Sequence, residues 1–145
     1  MRATEYFVRA CDPATLIVRQ IMEDAVVTIN PMSSAMMVAE LLSEHNFGSL
    51  PVIERDGTLR GLVTEFDLLK AVEFGKDLRE VSVSEIMTRE VITTTEETPL
   101  MSLIHLLQER HLIRVPVVKD HKLVGMVARR DVVFAYVKAR AKYWP

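Results

Sequence analysis

Two short stretches carry the side chains best placed to do chemistry. Gly61-Leu62-Val63-Thr64-Glu65-Phe66-Asp67 ends an apolar run and opens a helical pattern, and Gly125-Met126-Val127-Ala128-Arg129-Arg130-Asp131 does the same further on. One reading of the first stretch is local. Thr64 as N-cap and Asp67 three residues later form a capping box, each side chain accepting a backbone N–H that the first helical turn leaves free. The other reading adds a ligand. A helix N-terminus favours anions, and a carboxylate beside it accepts hydrogen bonds from both hydroxyls of a ribose, as an acidic residue does in dinucleotide folds. In the second stretch Asp131 remains but Ala128 stands where the first has Thr64, so the cap hydroxyl is lost. An aspartate kept without its cap favours a ligand or packing role, and this stretch is poorer in phosphate donors.

Other reactive residue types lack a pattern. No two of the histidines, at 45, 105, 111 and 121, stand three or four apart on one helix face, so no metal site is expected. Glu96-Glu97 precede a helix start and read as partners of its dipole. Cys11 and the serines have no base partner at motif spacing, and no catalytic residue is expected. Met32, Met36, Met37 and Met101 read as core filler or a pairing surface, and Lys138, Arg140 and Lys142 as cations offsetting the last helix's dipole.

The chain has 145 residues, 49% hydrophobic and 26% charged, with formal net charge −2. That fits one ordinary domain or two small ones. The charge balance argues against a non-specific nucleic-acid binder. A single cysteine excludes an intrachain disulfide and suits a reducing cytosol. Residues 1–8 do not read as a signal peptide, and apolar runs reach about six residues where a membrane helix needs roughly 20. A cytoplasmic protein is expected, with no membrane contact.

The elements that position the two stretches emerge from a repeat. With Ile21-Met22 set over Ile86-Met87, Val26 falls on Val91, Thr28 on Thr93, Leu41-Leu42 on Leu106-Leu107 and Pro51-Val52 on Pro116-Val117, all at an offset of 65. After one deletion in a turn the offset is 64, and Leu59, Gly61, Val63 and Asp67 fall on Leu123, Gly125, Val127 and Asp131. The expected organisation is an N-terminal segment at 1–17, copy one at 18–73, a charged linker at 74–81, copy two at 82–138 and a tail at 139–145. Each copy reads strand, helix, strand, strand, helix. In copy one, 25–29 is β-branched, and a helix recurs through Met37, Leu41, Leu42 and His45 before Gly48. Leu50–Ile53 and Leu59–Val63 flank the Asp56-Gly57 turn, and Glu65–Phe74 is a second helix. Copy two repeats this, with Thr98-Pro99 as N-cap and first helical residue and a last helix from Arg129 to about Ala141. Asp12-Pro13 reads as the start of a further helix leading to Met22. One copy is too small for a good core, and the apolar strands suggest that two α/β halves share one, packed sheet to sheet about a pseudo-twofold axis.

In these features the sequence resembles a tandem pair of cystathionine-β-synthase (CBS) domains, a Bateman module. The likeness rests on Ile21-Met22 and Ile86-Met87 opening each copy, on Leu50-Pro51-Val52-Ile53 and Val115-Pro116-Val117-Val118, and on Gly61 to Asp67. It implies β-α-β-β-α halves with two clefts between them, holding adenosine-containing ligands such as AMP, ADP, ATP or S-adenosylmethionine. By resemblance, one cleft takes Thr64, Asp67, Thr88, Val91, His111, Ile113, Arg114 and Pro116, with Arg114 on phosphate. The weaker second cleft takes Val26, Gly48, Ser49, Pro51 and Asp131, and its Glu23, in place of Thr88, disfavours phosphate. The implied function is a stand-alone regulatory module without required cofactors, signalling by change of shape or assembly, and acting on an unknown protein in trans. A homodimer is expected, through Phe66, Leu69, Val133, Phe134 and Val137. The alternatives from the residues alone are a ligand-free pairing module and an enzyme of unknown type.

Overall fold

The fold described here is a computed structural model, and it describes residues 13–140; Cys11, Asp12 and Lys142 lie outside them. The chain forms two compact α/β units. One, the Asp67 unit, is Val27–Val91 with His121–Leu123; the other, the Asp131 unit, holds 13–26, 92–120 and 124–140 of the described residues.

The Asp67 unit contains α1 (Ala35–His45), β1 (Ser49–Ile53), β2 (Leu59–Thr64), α2 (Glu65–Glu73) and the short α3 (Val83–Ile86). Ser34 caps α1 by accepting the Met37 N–H, and Asn46 ends it in the left-handed region at φ 58°. The helix therefore stops at His45, three residues before Gly48. β1 and β2 pair antiparallel, with Ser49 opposite Thr64 and Pro51 opposite Leu62. The expected strand at 25–29 is reduced to one parallel bridge: the Ile29 N–H donates to the Pro51 carbonyl, and the Ile53 N–H to the Ile29 carbonyl.

The Asp131 unit contains α4 (Leu100–Glu109), β3 (Arg114–Lys119), β4 (Lys122–Ala128, of which Lys122 and Leu123 group with the other unit) and α5 (Arg129–Arg140). Pro99 is the N-cap of α4, one residue later than the sequence pattern suggests. The expected opening strand is again a single bridge, Thr94 with Val117. In place of one helix running to Met22 there are two 3-10 turns, Pro13–Thr15 and Val18–Gln20.

Each unit has a core of its own. Val38, Leu50, Val52, Val63, Val83 and Met87 are buried in the Asp67 unit, and Val18, Met22, Leu103, Val115, Val117 and Val127 in the Asp131 unit. The opening segments are exchanged between these cores. Val83–Met87 opens copy two but fills the core beneath β1 and β2. Val18–Met22 opens copy one but fills the core of the Asp131 unit. The exchange is hydrogen-bonded alike on both sides. Ala35 N–H donates to Val81 O and Val83 N–H to Ser33 O; 65 residues on, Leu100 N–H donates to Leu16 O, while Val18 N–H donates to Thr98 O. The helix N-termini thereby find partners that no side chain supplies.

The two hairpin turns differ in strain. Gly57 takes φ 93° between β1 and β2, whereas Asp120 and His121, between β3 and β4, sit at 51° and 68°. Glycine adopts that region freely and an L side chain does not. His121 serves the fold through its backbone, accepting the Leu59 N–H at 2.9 Å. His121→Gly is therefore expected to raise stability by about 0.5–1 kcal/mol, read as a higher thermal midpoint by circular dichroism.

Candidate functional site

The Asp67 site is built by three chain segments within one unit. Thr64 ends β2, Asp67 lies in the first turn of α2, and Thr88 follows α3. The capping box forms in full: Thr64 Oγ1 accepts the Asp67 N–H at 3.1 Å and Asp67 Oδ2 accepts the Thr64 N–H at 2.9 Å. Thr88 is brought there by the exchanged segment, where it and Leu62 trade backbone hydrogen bonds of 2.7 and 2.9 Å. Its hydroxyl lies 3.4 Å from both Asp67 carboxylate oxygens, too long for strong O–H···O bonds. The half-buried carboxylate thus spends one oxygen on the helix cap and holds Thr88 only loosely.

Gly61 makes this approach possible. A Cβ built there would stand 2.6 Å from Thr88 O and 3.0 Å from Met87 Sδ. Gly125 meets Glu23 O and Met22 Sδ at 2.9 and 2.8 Å in the same way. The glycine opening each stretch is thus a packing requirement of the exchanged segment.

The Asp131 site keeps half of the box. Asp131 Oδ2 accepts the Ala128 N–H at 2.8 Å, so this aspartate retains a backbone partner even without a cap hydroxyl. A capping role is thus open to Asp131 through the Ala128 backbone. Glu23 is brought beside it by an exchange of hydrogen bonds with Met126.

Arg114, the first residue of β3, is half-buried. Burial pushes its guanidinium below the ordinary range, while the carboxylates of Asp131 and Glu23 draw it back up. These two acids provide its charge environment, so a phosphate approaching Arg114 competes with both. The sequence shows the three charges but not their meeting, since Glu23 and Arg114 lie 91 residues apart.

The other expected site residues divide between the units. Val91, Gly48, Ser49 and Pro51 belong with Asp67; Val26, His111, Ile113 and Pro116 belong with Asp131. Gly48 and Ile113 share a backbone role: their carbonyls accept the first N–H of α2 and α5, from Glu65 and Arg129, at 3.0 and 2.9 Å. Pro51 and Pro116 are buried, and their carbonyls accept the bridging Ile29 and Thr94 N–H groups. Ser49 is buried, and Ile113 and His111 are exposed, with His111 at φ 52°. Among the described residues there is no cluster of metal-ligating side chains and no helix long and apolar enough to cross a membrane.

A family model for the CBS domain matches residues 18–73 and 83–138. The chain belongs to the CBS domain family and carries the domain as a tandem pair, a Bateman module. It is 34% identical over 121 residues to the L-aspartate semialdehyde sulfurtransferase of Methanocaldococcus jannaschii, covering 83% of this chain but 23% of that one. The crystal structure of CBSX2 in complex with AMP is similar at TM-score 0.76 and 29% identity, covering 86% of this chain and 98% of that one. The CBS domain pair of protein MJ0100, in complex with 5'-methylthioadenosine and S-adenosyl-L-methionine, is similar at TM-score 0.69 and 31% identity, covering 84% and 96%. Such pairs are typically regulatory modules and not catalytic ones.

Proposed function

We propose that this CBS pair is a sensor of an adenosine-containing ligand, AMP, ADP, ATP or S-adenosylmethionine, held by its ribose on Asp67. The observation that carries this reading is the Asp67 carboxylate itself. It is fixed at the head of α2 by the Thr64 N–H, with Thr88 at a distance a ribose hydroxyl could improve upon. Thr64, Thr88 and the α2 N-terminus add donors suited to phosphate. The complexes of CBSX2 with AMP and of the MJ0100 pair with sulfonium and thioether adenosines support the ligand class. Calorimetry with AMP, ADP, ATP, S-adenosylmethionine and NADH tests it, as does mass spectrometry of small molecules released from the purified protein. Saturable binding of at least one adenosine compound is expected.

Output would come through a change of shape or assembly acting on a protein partner, in the cytoplasm. The assembly proposed is a homodimer. Phe66, Leu69, Val72 and Phe74 on and after α2, and Val133, Phe134 and Val137 on α5, are all exposed. Apolar surface on that scale marks an interface, and pairs usually close with twofold symmetry. Light scattering at tens of micromolar is expected to give twice the chain's 16.5 kDa; a monomer would remove the proposal.

One observation favours a second reading, a pairing module with no ligand: Asp67 and Asp131 both serve as helix caps already. Calorimetry silent for the whole panel, on a folded dimer, would select it.

A further inference from the structure

A pocket of about 340 Å3 opens in the Asp131 unit between the end of α4 and the start of α5. Its apolar lining includes Leu107 and Val132, which are buried, and Leu112, which is half-buried. Its polar lining is Gln108, His111 and Arg129, all exposed. Arg129 is held at the head of α5 by its N–H bond to Ile113 O, and His111 is turned by its left-handed backbone. The volume falls at the lower end of the about 300–1,000 Å3 of small-molecule sites. No aspartate or glutamate lines it, so it offers no carboxylate to a ribose.

The repeat supplies an internal comparison. At the positions matching Leu112, His111 and Arg129 the first copy has Phe47, Asn46 and Glu65. Phe47 packs against the core of its unit and stacks on His45, ring centroids 5.6 Å apart. The second copy thus replaces a ring by a smaller side chain, and an acid by a guanidinium, around the same helix ends. Both changes act in one direction: more apolar room, and a cation at its mouth.

We propose that this pocket binds a medium-chain monocarboxylate, its chain against Leu107, Leu112 and Val132 and its carboxylate on Arg129, with His111 and Gln108 as further donors. Guanidinium and carboxylate form a charge-assisted, bidentate pair, and each buried methylene adds to affinity. The adenosine reading does not enter this argument.

Octanoate is the probe, titrated into the whole chain at pH 7.5 and followed by methyl and amide NMR, with octanol and acetate as comparisons. Val133 also lines the pocket and lies on the face proposed to pair copies, so the titration is run where scattering gives a single species. Saturable shifts at Ile104, Leu112 and Val132 are expected with octanoate, at least fivefold weaker with octanol and absent with acetate. Arg129→Gln is expected to weaken octanoate at least fivefold, and Leu112→Phe, which imports the first copy's residue, to abolish binding in a protein with native circular dichroism. Asp67→Ala is expected to leave it unchanged. No saturable shift at 10 mM octanoate, equal binding of octanol, or unaltered binding by Arg129→Gln would overturn the proposal. Arg129 is exposed, so that variant remains informative if Leu112→Phe folds poorly.

Discussion

Asp67→Ala is expected to weaken adenosine-ligand binding by roughly 1.5–3 kcal/mol, about 10- to 150-fold, because a charged acceptor of two ribose hydroxyls is lost. The variant also orphans the Thr64 N–H, which Asp67 Oδ2 accepts at 2.9 Å, so about 0.5–2 kcal/mol of stability goes with it. Asp67→Asn separates the two effects. Its amide oxygen still accepts the Thr64 N–H while the carboxylate charge is gone, so affinity should fall with most of the stability retained. Calorimetry of both variants, beside their urea midpoints, gives the comparison. Unchanged affinity in folded Asp67→Ala would end the ribose assignment.

Gly61→Ala carries the largest expected effect on the fold. The added Cβ would sit 2.6 Å from Thr88 O, a backbone atom that cannot swing aside. Overpacking of this kind costs about 1–3 kcal/mol, and here it also pries the exchanged segment off β2. Thr88 would then leave Asp67, so ligand affinity should fall together with stability. Gly125→Ala meets Glu23 O at 2.9 Å and should cost a similar amount of stability while sparing the Asp67 site. Urea midpoints for the two variants check this. A midpoint equal to that of the native chain in both would mean that the segments tolerate a wider spacing.

The residues show unevenly how much can be read before the fold is known. The helices and hairpins are legible because their signals are local: Ser34 caps α1 and Thr64 caps α2, Asp56-Gly57 turns the first hairpin, and apolar residues run from Leu50 to Ile53 in β1. The capping box at Thr64 and Asp67 is legible for the same reason. The exchange of opening segments is not, because the repeat aligns Met22 with Met87 without saying which copy each one packs against. Only the close approach at Gly61 and Gly125 betrays it, and a glycine in sequence does not announce its neighbour. The role of Asp131 is hidden by a backbone donor, Ala128 N–H, that every residue type shares. The strands expected at 25–29 and 91–93 fail for a different reason. Only Ile29 and the adjoining Thr94 are buried, while Val26, Val27, Thr28, Val91, Ile92 and Thr93 are half-buried, and each stretch reaches its neighbour through a single parallel bridge, at Ile29 and at Thr94. Arg114 finds its acids only across 91 and 17 residues of chain, beyond the reach of any local pattern.

The measurement that bears most directly on the proposed function is a crystal structure of the protein grown with AMP, or with S-adenosylmethionine where calorimetry favours it. The expected result is a ribose whose hydroxyls lie about 2.5–3.0 Å from the Asp67 carboxylate oxygens, with the Thr64 cap intact and the Thr88 hydroxyl displaced or turned to phosphate. An adenosine ligand bound with its ribose away from Asp67, or none bound at millimolar concentration, would contradict it.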